Sequence, residues 1–178
     1  MVATIKPLLL AFSIMLLGLV LAIKADNDLT TDIGSKRYLI KIGKKLNWFQ
    51  ANHACTRAGM TLASIESETE QKNLRDYLYA QGHLTDGFWL SGNNLNDKDV
   101  FTWLSSGNKL SYTSWKSGQP DSNAVGTAEY CTVTDSDFKW TTGHCTDAAV
   151  TNYYICSRPL VPNCGITGRC KINRGFYY

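Results

Sequence analysis

Apolar and polar positions alternate over Arg37–Ile42, with Tyr38, Ile40 and Ile42 on one side of Leu39 and Lys41, which predicts a strand with one buried face. The period then changes to helical. Asn47 can cap a helix that carries Trp48, Ala51, Cys55 and Ala58 on one stripe and stops at Gly59. Ser67 followed by Glu70 is a capping-box pattern, and it opens a second helix with a Leu74, Tyr77 and Leu78 stripe that ends near Gly82. Beyond that point come short aromatic or β-branched runs: Phe88-Trp89-Leu90, Phe101-Thr102-Trp103, Cys131-Thr132-Val133 and Tyr153-Tyr154-Ile155-Cys156. Gly, Asn, Asp and Ser separate them, as they do strands joined by loops. Two helices followed by a series of strands predict an α+β domain of antiparallel strands rather than alternating βαβ units.

Two stretches lack this periodicity. Residues 26–36 are polar around an isolated Leu29 and Ile33 and predict a flexible lead-in, with order starting at Arg37. Ser105 to Tyr130, about 26 residues, is long for a connection inside a compact domain, and such loops are commonly functional. It is the expected working surface.

The start of the chain sets the compartment. Lys6 precedes an almost wholly apolar run, Leu8 to Ile23, with small residues at Ala22 and Ala25, which reads as a signal peptide (residues 1–25) cleaved after one of those alanines. The rival reading is a membrane anchor, for which the run is slightly short of the roughly 20 residues a spanning helix needs. After cleavage no membrane span is expected, and the product is extracellular. The formal charge of +3 falls to about +1 once Lys6 and Lys24 are removed, so charge gives no footprint for nucleic acid. Six cysteines in an oxidising compartment, Cys55, Cys131, Cys145, Cys156, Cys164 and Cys170, predict three disulfides and leave no thiol for catalysis. No nucleophile motif, phosphate-cradling glycine loop or paired catalytic carboxylates can be picked out, and His53, His83 and His144 are scattered without a zinc pattern. The expectation is a protein that is not an enzyme.

Read in order, Asn47-Trp48-Phe49-Gln50-Ala51, Cys55, Leu62-Ala63-Ser64-Ile65, Phe88-Trp89-Leu90-Ser91-Gly92, Gln119-Pro120-Asp121, Glu129-Tyr130-Cys131, Trp140, Cys145 and Cys156 resemble a C-type lectin carbohydrate-recognition domain. The resemblance covers residues 37–158 and implies that family's disulfide-stapled fold in its short form. It implies the pairs Cys55 with Cys156 and Cys131 with Cys145, leaving Cys164 and Cys170 to close a short loop in a tail, residues 159–178, that lies outside the match.

In that family a calcium ion bridges loop side chains and two vicinal sugar hydroxyls, which suits an ion that takes six to eight oxygens in a flexible geometry. The resemblance carries the ligand roles onto Gln119, Asp121 and Glu129, and the shaping role of a cis proline onto Pro120. The Gln-Pro-Asp order is the family's galactose-type mark; exchanging amide and acid across the proline exchanges the donors and acceptors that meet the sugar. The partners so implied are galactose-containing glycans or glycoproteins. Two features depart from the pattern. Thr141-Thr142 stand where an Asn-Asp pair is expected after Trp140, removing a carboxylate and an amide oxygen, and Ser122-Asn123 stand where strong galactose binders often place a tryptophan. Extracellular calcium modules bind with dissociation constants of only about 10⁻⁴ to 10⁻³ M, so these degenerate positions predict a weakened site. A calcium-independent module that binds a protein partner is the alternative. Trp115 reads as core, Asp97 and Asp99 as solvated turn acids, and Asp135 and Asp137 as remote candidates to lean toward the depleted site.

Overall fold

A computed structural model describes residues 28–120 and 128–160 and the backbone of 162–164 and 170–172. The signal-like segment 1–25 therefore lies outside the described residues, and among those described no helix is long and apolar enough to cross a membrane.

The first strand appears before the expected start of order. β1 (Leu29–Ile33) pairs antiparallel with β2 (Lys36–Leu46), Leu29 opposite Ile40 and Ile33 opposite Lys36. The lead-in prediction for 26–36 is corrected over these residues, because Leu29 and Ile33 both pack on the main core and so are not isolated once the chain folds back. Gly34, at φ +60°, occupies the first position of the two-residue turn, where a hairpin of this length needs a left-handed residue.

β2 then enters α1 (Trp48–Arg57) through a full capping box: the Asn47 side-chain oxygen accepts from Gln50 N at 2.9 Å and Gln50 Oε1 accepts from Asn47 N at 3.3 Å. Trp48, Ala51 and Cys55 are buried as the stripe predicts. Ala58 is not; it is the C-terminal cap and exposed.

After β3 (Thr61–Leu62), α2 (Glu68–Ala80) starts at the Ser67 cap, whose hydroxyl accepts from Glu70 N at 3.2 Å. The reciprocal half of the expected capping box is absent. The Glu70 carboxylate instead accepts from Glu66 N at 2.7 Å, from Lys36 Nζ at 2.9 Å and from the Tyr38 hydroxyl. Burial, and then this bond to a carboxylate, push the Tyr38 phenol well above its ordinary pKa. Tying α2 to β2 thus outcompetes local capping.

The remaining strands are β4 (Phe88–Asn93), β5 (Thr102–Trp103), β6 (Tyr130–Thr134), β7 (Trp140–His144) and β8 (Asn152–Pro159). The main sheet runs β1-β2-β8-β4-β6-β7, with β3 against β8 and β5 against β4; β4 and β8 are parallel, and the other pairs are antiparallel. Because β2 lies beside β8, the two ends of the domain meet. Cys55–Cys156 fastens α1 to that seam with 5.4 Å between Cα atoms, and Cys131–Cys145 ties the start of β6 to the end of β7 with 5.2 Å. Both pairs are those the resemblance implied. In the tail, β9 (Pro162–Cys164) pairs with β10 (Cys170–Ile172), which sets the backbones of Cys164 and Cys170 opposite each other; their sulfurs lie outside the described atoms.

The core has two parts. One contains Tyr38, Leu74, Phe88, Leu90, Trp103 and Trp140; the other holds Trp48, Trp89, Leu62 and both disulfides.

Candidate functional site

The site is built on an open sheet edge. β7 ends the sheet, so its outward N–H and C=O groups need partners other than a strand. The segment 114–119 supplies them. Trp140 N donates to Ser114 O at 2.8 Å, Lys116 N donates to Trp140 O at 2.8 Å, and Trp115 forms a parallel bridge with Trp140. Further along the same edge, Thr142 N donates to Gln119 Oε1 at 3.0 Å, and the Thr142 hydroxyl donates to the same oxygen at 2.9 Å. The Gln119 carboxamide therefore continues, with a side chain, the ladder that the Ser114–Lys116 backbone begins. Lys116 O accepts from Gln119 N at 2.9 Å to close the turn, and the Gln119–Pro120 peptide bond is cis.

The two threonines do different jobs. Adjacent strand residues point to opposite faces, so Thr141 and Thr142 cannot both face Gln119. The Thr141 hydroxyl donates to Val133 O on β6 at 3.2 Å. Gly143, on the same face as Thr141, lies against the Trp89 ring, where an added Cβ would stand 2.8 Å from the nearest ring carbon. Trp89 is fully buried and its indole N–H is bonded to Leu46 O at 2.9 Å, so it has little room to retreat. Gly143→Ala is expected to cost about 1–3 kcal/mol by overpacking, read as a lower denaturant midpoint at unchanged slope.

Glu129 sits at the head of β6 with an exposed side chain. Its surroundings are fixed by a residue the sequence reading did not single out. Buried Asn94 accepts from Tyr130 N at 2.6 Å and donates to Ala128 O at 3.2 Å and to Lys98 O at 3.0 Å, so one carboxamide pins the chain on both sides of Glu129. The available signal was the Asn pair that follows Phe88-Trp89-Leu90-Ser91-Gly92, since an amide buried there needs several partners.

Of the residues assigned to the site, Gln119 and Thr142 are in direct contact, Thr141 faces away, and Glu129 stands at the start of the neighbouring strand. Asp121 lies outside the described residues. Asp97 accepts from Asp99 N at 3.0 Å in a turn, as expected for turn acids. Asp135 is committed elsewhere: it accepts from the N–H groups of Asp137 and Lys139, both at 2.9 Å, and pairs with Lys116 at 3.1 Å. Burial would raise its pKa, but those two N–H groups and the lysine outweigh burial and hold the carboxyl below its ordinary value. Asp135 therefore does not lean toward Thr142, and Asp137 lines a separate pocket with Gln71, Lys72 and Tyr112. Trp115 is half core: its ring meets Trp140 edge-on at 5.7 Å and Phe101 at 5.1 Å, and its outer side lines an open groove with Leu110 and Lys109.

The described part of this site, Gln119 with Thr142, is not arranged around a calcium ion. An amide oxygen has two lone pairs, and both of Gln119's are taken by Thr142. Among the described residues no group of three or more His, Cys, Asp or Glu side chains is placed to hold a metal, whereas calcium asks for six to eight oxygens.

The family model described as "Lectin C-type domain" matches residues 44–158. The chain belongs to the C-type lectin domain family. That family consists of non-enzymatic carbohydrate-binding proteins whose domains typically bind calcium. Among relatives, C-type lectin 37Db of Drosophila melanogaster is 32% identical over 98 residues, 55% of this chain and 62% of its own length. The galactose-specific lectin nattectin of Thalassophryne nattereri is 31% identical over 133 residues, 73% of this chain and 78% of its own. Solved structures share the fold. The mouse scavenger receptor C-type lectin carbohydrate-recognition domain superposes with a TM-score of 0.61 at 21% identity, covering 73% of this chain and 95% of that one. Human lithostathine gives 0.62 at 22% identity, covering 73% and 88%.

Proposed function

We propose that this C-type lectin domain is an extracellular glycan-binding module that recognises galactose-type sugars, with weakened dependence on calcium. The observation that carries the reading is the placement of Gln119, held by two hydrogen bonds at the rim of β7 beside the Pro120 turn. Similarity to a galactose-specific lectin over 73% of the chain supports the sugar class. The signal-like start of the sequence and two disulfides support an oxidising, extracellular setting.

Calorimetric titration of calcium, with and without galactose, tests this. The natural chain is expected to bind galactose while its calcium affinity is weaker than about 1 mM. A Thr141→Asn/Thr142→Asp variant is expected to gain calcium binding that galactose strengthens, through the Thr142 position that faces Gln119. Absence of galactose binding with calcium either present or chelated would defeat the reading. It would favour the second one, a calcium-independent module for a protein partner, which is motivated by the same engagement of the Gln119 oxygen within the chain.

A further inference from the structure

We infer that Thr142 does at this site the work of a bound cation: it orients the Gln119 carboxamide from within the chain, so that the sugar-facing surface is assembled without calcium. The inference rests on the glycan-binding reading above and adds to it a mechanism and a residue. Thr142 presents two donors, its N–H at 3.0 Å and its hydroxyl at 2.9 Å, to one acceptor atom. Only the amide oxygen can answer the N–H group, because a flipped carboxamide would set NH₂ against N–H. The orientation is thereby chosen by chemistry. The consequence is polarity: with both oxygen lone pairs occupied, the group that Gln119 retains is its NH₂, a pure donor that no described residue engages. The site thus reads acceptor oxygens, which sugar hydroxyls and ring oxygens supply and metal cations do not.

The support behind Thr142 is stiff. β7 is paired with β6 in continuous register from Tyr130–His144 to Thr134–Trp140, and Cys131–Cys145 closes the end of that ladder next to Thr142. A donor pair mounted on such a ladder is set before the ligand arrives, which reduces the ordering that binding requires. A calcium ion seeking Gln119 Oε1 would have to break both bonds, so it competes with the protein instead of completing it. Thr142 acts through Gln119 and is a positioning residue.

The full secreted chain tests this in two arms. In the first, galactose affinity is measured in calcium and in chelator. The natural chain is expected to bind equally in both, Thr142→Val to bind about tenfold more weakly in both, and Thr142→Ser, which keeps the hydroxyl, to stay within about twofold. A rise of tenfold or more on adding calcium to the natural chain, or a Thr142→Val variant that binds like the natural chain, overturns the inference. The second arm needs no sugar and reads hydrogen exchange of the Thr142 amide by NMR. Protection is expected to be the same with millimolar calcium and with chelator, and to fall about tenfold in Gln119→Met. Protection that calcium removes, or that Gln119→Met leaves intact, overturns it. If no galactose binds under any condition while the exchange results hold, the sugar reading fails and the Thr142 clamp stands.

Discussion

Replacing Cys55 and Cys156 together by alanine is expected to destabilise the fold by about 4–5 kcal/mol, the largest effect of any paired substitution considered. The bridge spans 101 residues of sequence, and cross-linking so long a loop removes more conformational freedom from the unfolded chain than from a short one. Cys131–Cys145, spanning 14, is worth about 3 kcal/mol on the same reasoning. The long bridge also has a native-state share. Both of its sulfurs are buried in the cluster around Trp48 and Trp89, so alanine leaves unfilled space there. Thermal denaturation of the two double-alanine variants, side by side, checks the order. The Cys55/Cys156 variant should melt about 10–20 °C below the natural chain and the Cys131/Cys145 variant less far below. The reverse order would mean that anchoring β7 to β6 matters more than loop closure.

The same seam explains which parts of the fold could be read from the sequence. α1 and α2 were legible because their caps are local: Asn47 answers Gln50, and Ser67 answers Glu70, three residues away. β1 was not, since Leu29 and Ile33 acquire meaning only from Ile40 across the hairpin and from Tyr77, whose hydroxyl donates to Thr30 O at 3.1 Å. β7 was not recognised as a strand either. After Trp140 it reads Thr-Thr-Gly-His, and it is a strand because β6 and a disulfide hold it. The diverted Glu70 carboxylate shows the same rule in reverse, a correct local signal overruled by partners 32 and 34 residues distant.

For the site, the tripeptide at 119–121 was visible as a motif, and Thr141-Thr142 as a departure from one. What the sequence could not convey is that the departure and the motif touch. The Gln119–Thr142 bonds cross 23 residues, and a pair at that separation is set by the route of the loop along β7. A list of missing calcium ligands suggests simple loss, whereas the geometry gives the substituted residue a partner of its own.

Trp140→Ala is the second large prediction, with an expected cost of about 3–5 kcal/mol. Trp140 is fully buried and its ring meets three others edge-on: Trp103 at 5.5 Å, Trp115 at 5.7 Å and Tyr112 at 5.8 Å. Its indole N–H donates to Gln71 Oε1 at 3.0 Å, and Gln71 in turn donates to Phe138 O, so a buried polar pair on α2 depends on it. Two costs can be separated. Trp140→Phe keeps much of the ring volume but strands the Gln71 oxygen, which should cost about 1–3 kcal/mol; the difference between the two variants then measures packing. Both keep the backbone N–H and C=O that hold Ser114 and Lys116, so the sheet edge retains its ladder. Trp115, which loses one of its two ring partners in the alanine variant and keeps Phe101, should loosen the root of the segment that carries Gln119. Galactose affinity is therefore expected to fall clearly in Trp140→Ala and only slightly in Trp140→Phe, measured where each variant is still more than nine-tenths folded. Equal losses in the two would place the hydrogen bond to α2, and not the aromatic stack, in control of the site.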